Sequence, residues 1–394
     1  MSLKNTRIVL GVTGAISAYK ALELARLLVK EGASVRPVMT NAAREFISPL
    51  SLSALAQSEV CTGLFELAGE SRISHIELAQ KTGLIIVAPA TANIIGKAAS
   101  GIADDLLSTI IMAASVPVLF APSMNSLMWA NPIVRENVEK LKKLGYLFVG
   151  PSTGSLACGD EGEGRLAEPV DILEAAEDAL SKKDLKGEKV LVSAGPTREA
   201  IDPVRFVSNA SSGRMGYAIA KAAKRRGAEV VLISGPSYLP EPKGITFVKV
   251  TAAEEMKDAC VRYYPQSTVV IMAAAIADYR PVKSSPTKMK KEAKALTVEM
   301  ERTEDVLQYM GKKKKKGQFL VGFALETDNL VDNARKKLVD KNLDLVIANT
   351  PGGLDSELNE VTIIARQNAV EKLPAMRKEE VADIILDRVV KGKG

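Results

Sequence analysis

One pattern occurs twice in this chain: a β-branched apolar strand, a glycine turn and an amphipathic helix. The first copy, from Arg7, reads RIVLGVTGAISAYKALELARLL, and the second, from Lys189, reads KVLVSAGPTREAIDPVRF and later GRMGYAIAKAAKRRGAEVVLIS. A strand that ends in a glycine turn leaves free backbone N–H groups at the next helix N-terminus, where those donors and the helix dipole stabilise a phosphate. The sequence therefore predicts two nucleotide-type α/β units.

The chain length and one polar stretch indicate where the two units meet. A chain of 394 residues is too long for one ordinary core and suits two domains of about 200 residues each. Between helix-like DILEAAEDAL and strand-like KVLVSAG lies SKKDLKGE, a short lysine-rich stretch with the composition of a linker. We therefore predict domains at 1–180 and 181–394, with the boundary near Ser181.

Strand-like and helix-like segments alternate through both halves. Strands are predicted at 7–12, 34–39, 83–88, 117–121, 146–149, 189–193, 229–233, 246–248, 268–273, 319–323, 344–348 and 361–365. The composition, 46% hydrophobic but only 4% aromatic, fits parallel layers rich in Ala, Val, Ile and Leu. We predict an α/β fold with two Rossmann-like doubly wound domains, whose ligands lie at the carboxyl ends of the strands.

Cysteine spacing and hydropathy exclude several classes of protein. Cys61, Cys158 and Cys260 are widely spaced without a CxxC pair, so we expect neither a disulfide framework nor a zinc site. No segment approaches the roughly 18 uninterrupted apolar residues of a membrane span, and the N-terminus lacks a signal-peptide pattern. We expect a soluble cytoplasmic protein without a membrane partner.

The net charge of +6 is distributed unevenly along the chain. Residues 1–180 carry −4 (15 Lys and Arg against 19 Asp and Glu), and the rest carries +10 (38 against 28), which favours a polyphosphate ligand there. Nucleic acid is not expected, because the lysines lack interleaved aromatic residues that stack bases. We interpret the lysine run at 312–316 as a solvated helix end, which Gly317 stops.

Three polar side chains of the first half, a histidine, an amide and a thiol, have the chemistry of a catalytic site. His75, the single histidine, lies in SRISHIELAQ, where a packed structural histidine is the alternative. Met124 and Asn125 follow the strand VPVLFAP in PSMNSLMW, where Asn125 could bind a ligand or cap a helix. Cys158 lies in glycine-rich GPSTGSLACGDEGEGRL, which we interpret as a mobile flap carrying a thiol acid; a surface loop with an idle cysteine is the alternative.

Together, the His75 region, PSMNSLMW and the GSLACG flap resemble the flavin-containing cysteine decarboxylases, specifically the phosphopantothenoylcysteine decarboxylases. The resemblance implies an FMN cofactor, which oxidises the substrate thiol to a thioaldehyde and so creates an electron sink β to the carboxylate. It implies that His75 acts as base in the oxidation, Asn125 binds the substrate carboxylate and Cys158 donates a proton as reduced FMN returns its hydride. The implied FMN contacts are Gly14, Ala15, Ile16, Thr40, Thr91, Asn93 and Met124.

The second half contains three polar segments that suit a nucleotide. The loop GPTREAIDPVRFVSNASSGRMG, at 195–216, ends in small residues and backbone donors at a helix start. A dinucleotide site is disfavoured there, because the GxGxxG spacing is missing. In IMAAAIADYRP, residues 273–275 are small enough for a flat base to approach the backbone, and Asp278 could meet base, ribose or metal. KMKK follows at 288–291, with a solvated loop as the alternative.

Together, DPVRFVSNASSGRMG, AAAIADYRP, KMKK and GFALET resemble the phosphopantothenate-cysteine ligases, which occur fused behind the decarboxylases. The two resemblances cover essentially the whole chain in that order. The second implies a step of coenzyme A biosynthesis in which CTP activates the carboxylate of 4'-phosphopantothenate as an acyl-cytidylate, and the amine of cysteine displaces CMP. It implies that Asn209 holds the acyl-cytidylate, that Arg205 lies in the same substrate loop, and that Lys288 neutralises the triphosphate.

The ligase resemblance also implies a nucleotide site and a metal. The nucleotide-site residues are Met272, Ala273, Ala274, Asp278, Lys288, Thr303, Glu304, Asp305, Val306, Phe323, Lys337 and Lys341. Mg²⁺ or Mn²⁺ would bridge the phosphates, with Asp278 as the candidate metal ligand. The choice between CTP and ATP stays open.

The resemblances imply a homo-oligomer, a dodecamer through the N-terminal domain with ligase dimers, whose active sites are completed across subunits. Two other classes of protein remain as alternatives. A nicotinamide oxidoreductase would require GxGxxG and an acidic residue about 20 positions later, which neither half contains. A module that binds nucleic acid or polyphosphate would use the basic half but leaves His75, Asn125 and Cys158 unexplained. A flavin-coloured protein would contradict both.

Overall fold

The computed structural model describes residues 3–64, 75–155, 161–290, 296–326, 328–350, 352, 356, 358–366 and 369–393. The chain divides into two compact units, Met1–Ser181 and Lys182–Gly394, here called unit 1 and unit 2. Among the described residues, no helix combines the length and the apolar character needed to cross a membrane.

Unit 1 alternates strands and helices over most of its length. Its strands are β1 (Arg7–Val12), β2 (Ser34–Met39), β3 (Leu84–Ala90), β4 (Val118–Pro122), β5 (Leu147–Phe148), β6 (Ser152–Ser155) and β7 (Glu161–Arg165). Its helices are α1 (Tyr19–Lys30), α2 (Pro49–Ala56), α3 (His75–Gln80), α4 (Ala92–Ser100), α5 (Leu106–Met112), α6 (Ser126–Ala130), α7 (Pro132–Lys143) and α8 (Pro169–Leu180).

Strands β1 to β5 form a five-stranded parallel sheet in the order β2-β1-β3-β4-β5. The strand β3, with the sequence LIIVAPA, is buried at every position, as expected when helices cover both faces of a parallel sheet. In this strand order the chain changes direction between β1 and β3. The crevice beyond their carboxyl ends is therefore the place where a ligand binds in such folds.

Unit 2 has a longer series of elements. Its strands are β8 (Lys189–Ala194), β9 (Arg198–Ala200), β10 (Phe206–Ser208), β11 (Glu229–Ser234), β12 (Thr246–Lys249), β13 (Val269–Met272), β14 (Tyr279–Pro281), β15 (Met300–Arg302), β16 (Phe319–Leu325), β17 (Leu345–Asn349), β18 (Leu358–Asn359), β19 (Val361–Ala365), β20 (Val370–Lys372) and β21 (Met376–Arg377). Its helices are α9 (Arg214–Arg225), α10 (Ala253–Tyr263), α11 (Val306–Lys313), α12 (Leu330–Asp340) and α13 (Lys378–Lys393).

The main sheet of unit 2 has eight strands in the order β12-β11-β8-β13-β16-β17-β19-β20. From β12 to β17 the neighbours are parallel, and β19 and β20 add an antiparallel edge. The parallel part has the strand order of a dinucleotide-binding fold, which changes direction between β8 and β13. The predicted α/β class with two doubly wound sheets is confirmed.

Two local features differ from the sequence-based expectation. The segment interpreted as a mobile flap contains the antiparallel strand pair β6–β7, which its glycine-rich sequence does not signal by alternation. The interpretation of 312–316 as a solvated helix end is wrong for Lys314, whose Nζ lies 2.5 Å from the Asp344 carboxylate in a nearly buried ion pair. That pair joins residues 30 positions apart, so no local pattern reveals it.

The lysine-rich stretch between the units is packed onto unit 2. The carboxylate of Asp184 accepts hydrogen bonds from Arg226 Nε at 2.8 Å and Nη2 at 2.7 Å. The Arg226 hydrogen bond is the largest influence on the pKa of Asp184, which is lowered. Leu185 is buried, and its N–H donates to the carbonyl of Arg226. Residues 182–186 are therefore part of the folded unit 2.

We expect a fragment of residues 182–394 to be more stable than one of residues 187–394. The shorter fragment loses the buried Leu185 and leaves Arg226 with Asp387 as its remaining carboxylate partner, so its free energy of unfolding should fall by about 3 kcal/mol. Urea unfolding of both fragments measures the difference. Asp184→Asn in the intact chain is the matched test of the ion pair, and equal stability of the two fragments would contradict the packing described here.

Candidate active sites

A large cavity opens at the predicted position in unit 1. Its volume is about 1450 Å³, and its walls come from the segments that follow the carboxyl ends of β1, β2, β3 and β4. This volume exceeds the roughly 300–1,000 Å³ that is common for a single drug-sized ligand. The cavity therefore has room for a cofactor and a substrate together. Among its lining residues are Gly14, Ala15, Ile16, Thr40, Thr91, Asn93, Met124 and Asn125.

The glycine turn after β1 passes very close to the segment after β2. A Cβ added at Gly14 would meet the Cβ of Ala42 at 2.5 Å, so only glycine allows this approach. Thr13 fixes the same turn to the end of β3: its hydroxyl donates to the carbonyl of Pro89 at 2.8 Å and accepts from the N–H of Thr91 at 3.2 Å. Thr91 in turn caps α4. The three strand ends that the sequence singled out are thus held together.

Asn125 has both features that the sequence left as alternatives. Its Oδ1 accepts from the N–H of Leu127 at 2.8 Å, which makes it the N-cap of α6, and its side chain also lines the cavity. Because the capping atom must be the oxygen, the amide nitrogen of the side chain is its donor group. Strand β7 supports this turn, since the N–H of Met124 donates to the carbonyl of Gly164 at 3.0 Å.

An ion-pair cluster in the cavity wall was not predicted from the sequence. Lys97, on α4, lies 2.7 Å from Asp104 and 3.2 Å from Asp105. The hydrogen bond to Asp104 is the largest cause of the raised pKa of Lys97. Asp105 also caps α5 through the N–H of Ser108. These contacts join the start of α5 to α4, and no local sequence signal distinguishes them from solvated charges.

Two predicted catalytic groups of unit 1, the imidazole of His75 and the thiol of Cys158, lie outside the described part of the structure. His75 itself is the first residue of α3. The roles of both groups stay predictions from the sequence.

The cavity walls fit FMN on chemical grounds. The Gly14 turn is a cradle that a Cβ would fill, and Thr13, Thr40, Thr91 and Asn93 are hydroxyl and amide groups suited to a phosphate and a polyhydroxyl chain. Apolar residues, including Met39, Phe46, Met124 and Met128, line the same cavity, and apolar side chains suit a flat ring.

In unit 2, backbone contacts fix the segment 273–277 at the change of direction between β8 and β13. Ser193, fully buried, accepts from the N–H of Ala274 through its hydroxyl at 3.1 Å. The hydroxyl of Thr197 accepts from the N–H of Ala277 at 3.0 Å. Neither hydroxyl was a sequence-based candidate, because each acts on a segment about 80 residues away. The small residues predicted to face a base thus lie on a fixed backbone.

Glycines allow close contact between three loops: the one after β8, the one before α9 and the one after β11. Gly195 has φ +74°, and a Cβ there would meet the carbonyl oxygen of Gly235 at 3.0 Å. Gly213, the N-cap of α9 with φ +80°, would place a Cβ 3.2 Å from the Cα of Gly195. The backbone at the start of α9 therefore lies directly beside the end of β8, where the loop sequence at 195–216 predicts an anion site.

Asn209 and Arg205 each contact another of the segments that carry the ligase resemblance. The amide nitrogen of Asn209 donates to the carbonyls of Ala275 at 3.2 Å and Ile276 at 3.3 Å. Arg205 Nη2 lies 3.4 Å from the carbonyl of Met289, which follows Lys288 directly in KMKK. Lys288 itself is exposed.

A second set of predicted residues meets around the start of α11. The N–H of Thr303 donates to the carbonyl of Asp278 at 2.9 Å. Asp305 caps α11 and pairs with Lys341 at 2.5 Å; burial acts to raise the pKa of Asp305, but the hydrogen bonds from Lys341 and the Gln308 N–H lower it overall. The ammonium of Lys337 donates to the carbonyl of Phe323 at 2.7 Å, and burial, reinforced by Lys341, lowers its pKa.

The other predicted members of the nucleotide site have ordinary structural contacts. Met272 ends β13 and is buried, and the N–H of Ala273 donates to the carbonyl of Ser193. Glu304 pairs with Lys257 at 2.5 Å, and Val306 is buried at the first turn of α11. Asp278 is exposed, and the described residues contain no group of three or more His, Cys, Asp and Glu side chains that could hold a metal.

Fold and sites together define a class of protein. Each unit is a doubly wound α/β unit with glycine turns and convergent polar groups at its change of strand direction, as in nucleotide-binding enzymes.

Comparison with known proteins narrows the class to one family. Residues 1–181 match the family described as Flavoprotein, and residues 185–392 match the DNA/pantothenate metabolism flavoprotein C-terminal domain. The coenzyme A biosynthesis bifunctional protein CoaBC of Bacillus subtilis is 47% identical over 98% of this chain and 97% of its own length. The protein of the same name from Escherichia coli is 44% identical over 99% and 98%. A crystal structure of a CoaBC C-terminal domain, 43% identical, covers 53% of this chain and 97% of that one with a TM-score of 0.47. The chain belongs to the CoaBC family of bifunctional coenzyme A biosynthesis proteins, which confirms the resemblance seen in its motifs.

Proposed function

We propose that the chain catalyses two consecutive steps of coenzyme A biosynthesis. Unit 2 joins cysteine to 4'-phosphopantothenate with CTP, and unit 1 decarboxylates the 4'-phosphopantothenoylcysteine to 4'-phosphopantetheine with FMN. The observation that carries the proposal is the cavity of unit 1, because its walls contain Asn125 and the residues that the decarboxylase motifs assign to FMN. Membership of the CoaBC family over nearly the full length supports both activities.

In unit 1 the residues of the protein would bind FMN, orient the substrate carboxylate and supply a proton. FMN, when bound, supplies the two-electron oxidation that makes the substrate able to lose CO₂, and the later reduction. The Gly14 turn, Thr40, Thr91 and Asn93 would hold its polar groups. Asn125 would donate its amide N–H to the substrate carboxylate, with its orientation fixed by the cap on α6. The assignments of His75 as base and Cys158 as proton donor rest on the sequence motifs.

In unit 2 the reaction would be two displacements. A carboxylate oxygen of 4'-phosphopantothenate attacks the α-phosphorus of CTP and pyrophosphate leaves; the amine of cysteine then attacks the acyl carbon and CMP leaves. Lys288 would neutralise the charge that moves onto pyrophosphate. Asn209 would hold the acyl-cytidylate, since its amide already donates to the carbonyls of Ala275 and Ile276, next to the small residues proposed to face the base.

Metal, assembly and location belong to the same proposal. Asp278, whose carboxylate is exposed, would help to hold Mg²⁺, which would neutralise charge on the triphosphate because Mg²⁺ prefers phosphate oxygens. A homo-oligomer built through unit 1 is supported by exposed apolar side chains of Leu127, Met128 and Ile133 on α6 and α7, near the cavity. The cytoplasm is the setting that this metabolic role implies.

The first test is the visible spectrum of the purified protein. We expect bands roughly near 370 and 450 nm and release of FMN on denaturation, as for an oxidised flavin. Incubation with 4'-phosphopantothenate, cysteine, CTP and Mg²⁺ should then yield pyrophosphate and CO₂, and omission of cysteine should stop CO₂ release. A colourless protein that takes up no FMN would contradict the assignment of unit 1. Absence of pyrophosphate with CTP or ATP would contradict that of unit 2.

A further inference from the structure

Asp202 is a fully buried carboxylate for which the proposed reactions have no use. It lies in the turn between β9 and β10, and its side chain has no exposed surface. Its Oδ1 accepts from the N–H groups of Val204 and Arg205, both at 2.8 Å. These two hydrogen bonds close the turn that carries Arg205. An acidic group buried in a loop requires several donors to stay ionised, and this one has them.

The second oxygen of Asp202 reaches a distant part of the chain. Its Oδ2 accepts from the N–H of Met289 at 3.2 Å and lies 3.4 Å from Arg205 Nη1. Arg205 Nη2 in turn lies 3.4 Å from the carbonyl of Met289. Both polar backbone groups of Met289 are thus held by Asp202 and Arg205, across a separation of 87 residues.

A second attachment fixes the same segment a few residues earlier. The N–H of Ser285 donates to the carbonyl of Ile201, the residue before Asp202, at 2.9 Å. The segment 285–289 is therefore fastened to the β9–β10 turn near both of its ends, and Lys288 lies between the two attachments. Burial acts to raise the pKa of Asp202, but the hydrogen bonds from Val204, Arg205 and Met289 lower it overall. The carboxylate of Asp202 therefore remains anionic at neutral pH.

We propose that Asp202 is a positioning residue, which docks the segment carrying Lys288 onto the turn carrying Arg205 and so holds the backbone of Lys288 ready for the triphosphate. This inference rests on the proposed ligase activity of unit 2. A lysine whose backbone is already fixed loses less conformational freedom when it binds a phosphate, so part of its contribution to CTP use depends on Asp202.

Asp202→Asn separates the two functions of this carboxylate. The asparagine oxygen can still accept from Val204 and Arg205 and keep the turn, whereas its NH₂ group cannot accept from Met289 or pair with Arg205. We expect kcat/KM for CTP to fall at least about tenfold, with KM for cysteine unchanged. Decarboxylation of supplied 4'-phosphopantothenoylcysteine by unit 1 should be unchanged and serves as the internal control for protein quality.

A double-mutant cycle with Lys288→Ala tests the positioning role. If Asp202 acts through Lys288, adding Asp202→Asn to Lys288→Ala should change kcat/KM for CTP within about twofold, because the positioned group is already gone. Asp184→Asn, which removes the carboxylate of another ion pair in unit 2, is the matched control. It should lower stability without changing the use of CTP.

The possible results distinguish failure of the positioning role of Asp202 from failure of the proposed ligase activity. Full activity of Asp202→Asn, or independent multiplicative losses in the double variant, would overturn the positioning role while leaving the ligase assignment intact. Absence of ligase activity in the wild-type protein, with FMN bound and decarboxylation present, would instead refute the proposed function of unit 2, and the inference about Asp202 with it.

Discussion

Asn125→Asp is expected to lower decarboxylation at least about a hundredfold while leaving FMN bound and ligation unchanged. The replacement keeps an oxygen that can accept from the N–H of Leu127, and aspartate caps helices as well as asparagine does. It removes the amide donor and places a negative charge where we propose that the substrate carboxylate binds. The loss would therefore come from the site and not from α6. Steady-state CO₂ release from 4'-phosphopantothenoylcysteine measures it, with the flavin spectrum recorded on the same sample.

The chain contains a matched control for this variant. Asn131 caps α7 through the N–H of Ile133 at 2.9 Å, in the same geometry and six residues further on, but it is not among the residues that line the cavity. Asn131→Asp should leave decarboxylation unchanged. Equal losses in the two variants would mean that charge near α6 and α7 disturbs the fold, and full activity of Asn125→Asp would remove Asn125 from the mechanism.

Features that depend on neighbouring residues were predictable from the sequence. The strand, glycine turn and helix around Gly14 form a local unit, and so do PSMNSLMW with its cap at Asn125 and the loop that ends at Gly213. Parallel strands place their carboxyl ends on one edge of a sheet, and Gly14, Thr40 and Thr91, which follow three of these strands, line one cavity. The strand pattern predicted where the ligand lies, and the resemblance supplied the choice of these residues.

Features that depend on pairs of distant residues were not predictable. Asp202 and Met289, Lys314 and Asp344, and Asp184 and Arg226 each join segments far apart in the sequence. In the sequence each of these charges resembles a solvated one, and only the fold shows which are buried. The linker-like composition of SKKDLKGE was misleading for this reason, because the partner of Asp184 lies 42 residues further on.

Asn209→Ala is expected to lower ligase turnover about a hundredfold and to leave the acyl-cytidylate bound. The reason is the position of the amide: Asn209 bridges the loop that begins α9 to the carbonyls of Ala275 and Ile276, beside the backbone proposed to face the base. We propose that activation by CTP depends on Lys288 and on the backbone donors at the start of α9, so it should still occur once per site. Rapid quenching with labelled CTP should show a burst of pyrophosphate and a trapped cytidylate, with little CMP released.

Loss of the hydrogen bonds to Ala275 and Ile276 could lower activity only because the loop before α9 becomes less well fixed. Ser208→Ala separates that effect from a direct action of the Asn209 amide on the acyl-cytidylate. Ser208 anchors the same loop from the neighbouring position, since its hydroxyl donates to the carbonyl of Thr197 at 2.7 Å. If Asn209 acts on the intermediate, Ser208→Ala should raise KM for CTP modestly and trap nothing, whereas Asn209→Ala should show the burst. Trapped cytidylate in both variants would make the loop, and not the amide, responsible. A steady rate in Asn209→Ala without a burst would place the affected step before acyl-cytidylate formation and assign Asn209 to nucleotide binding.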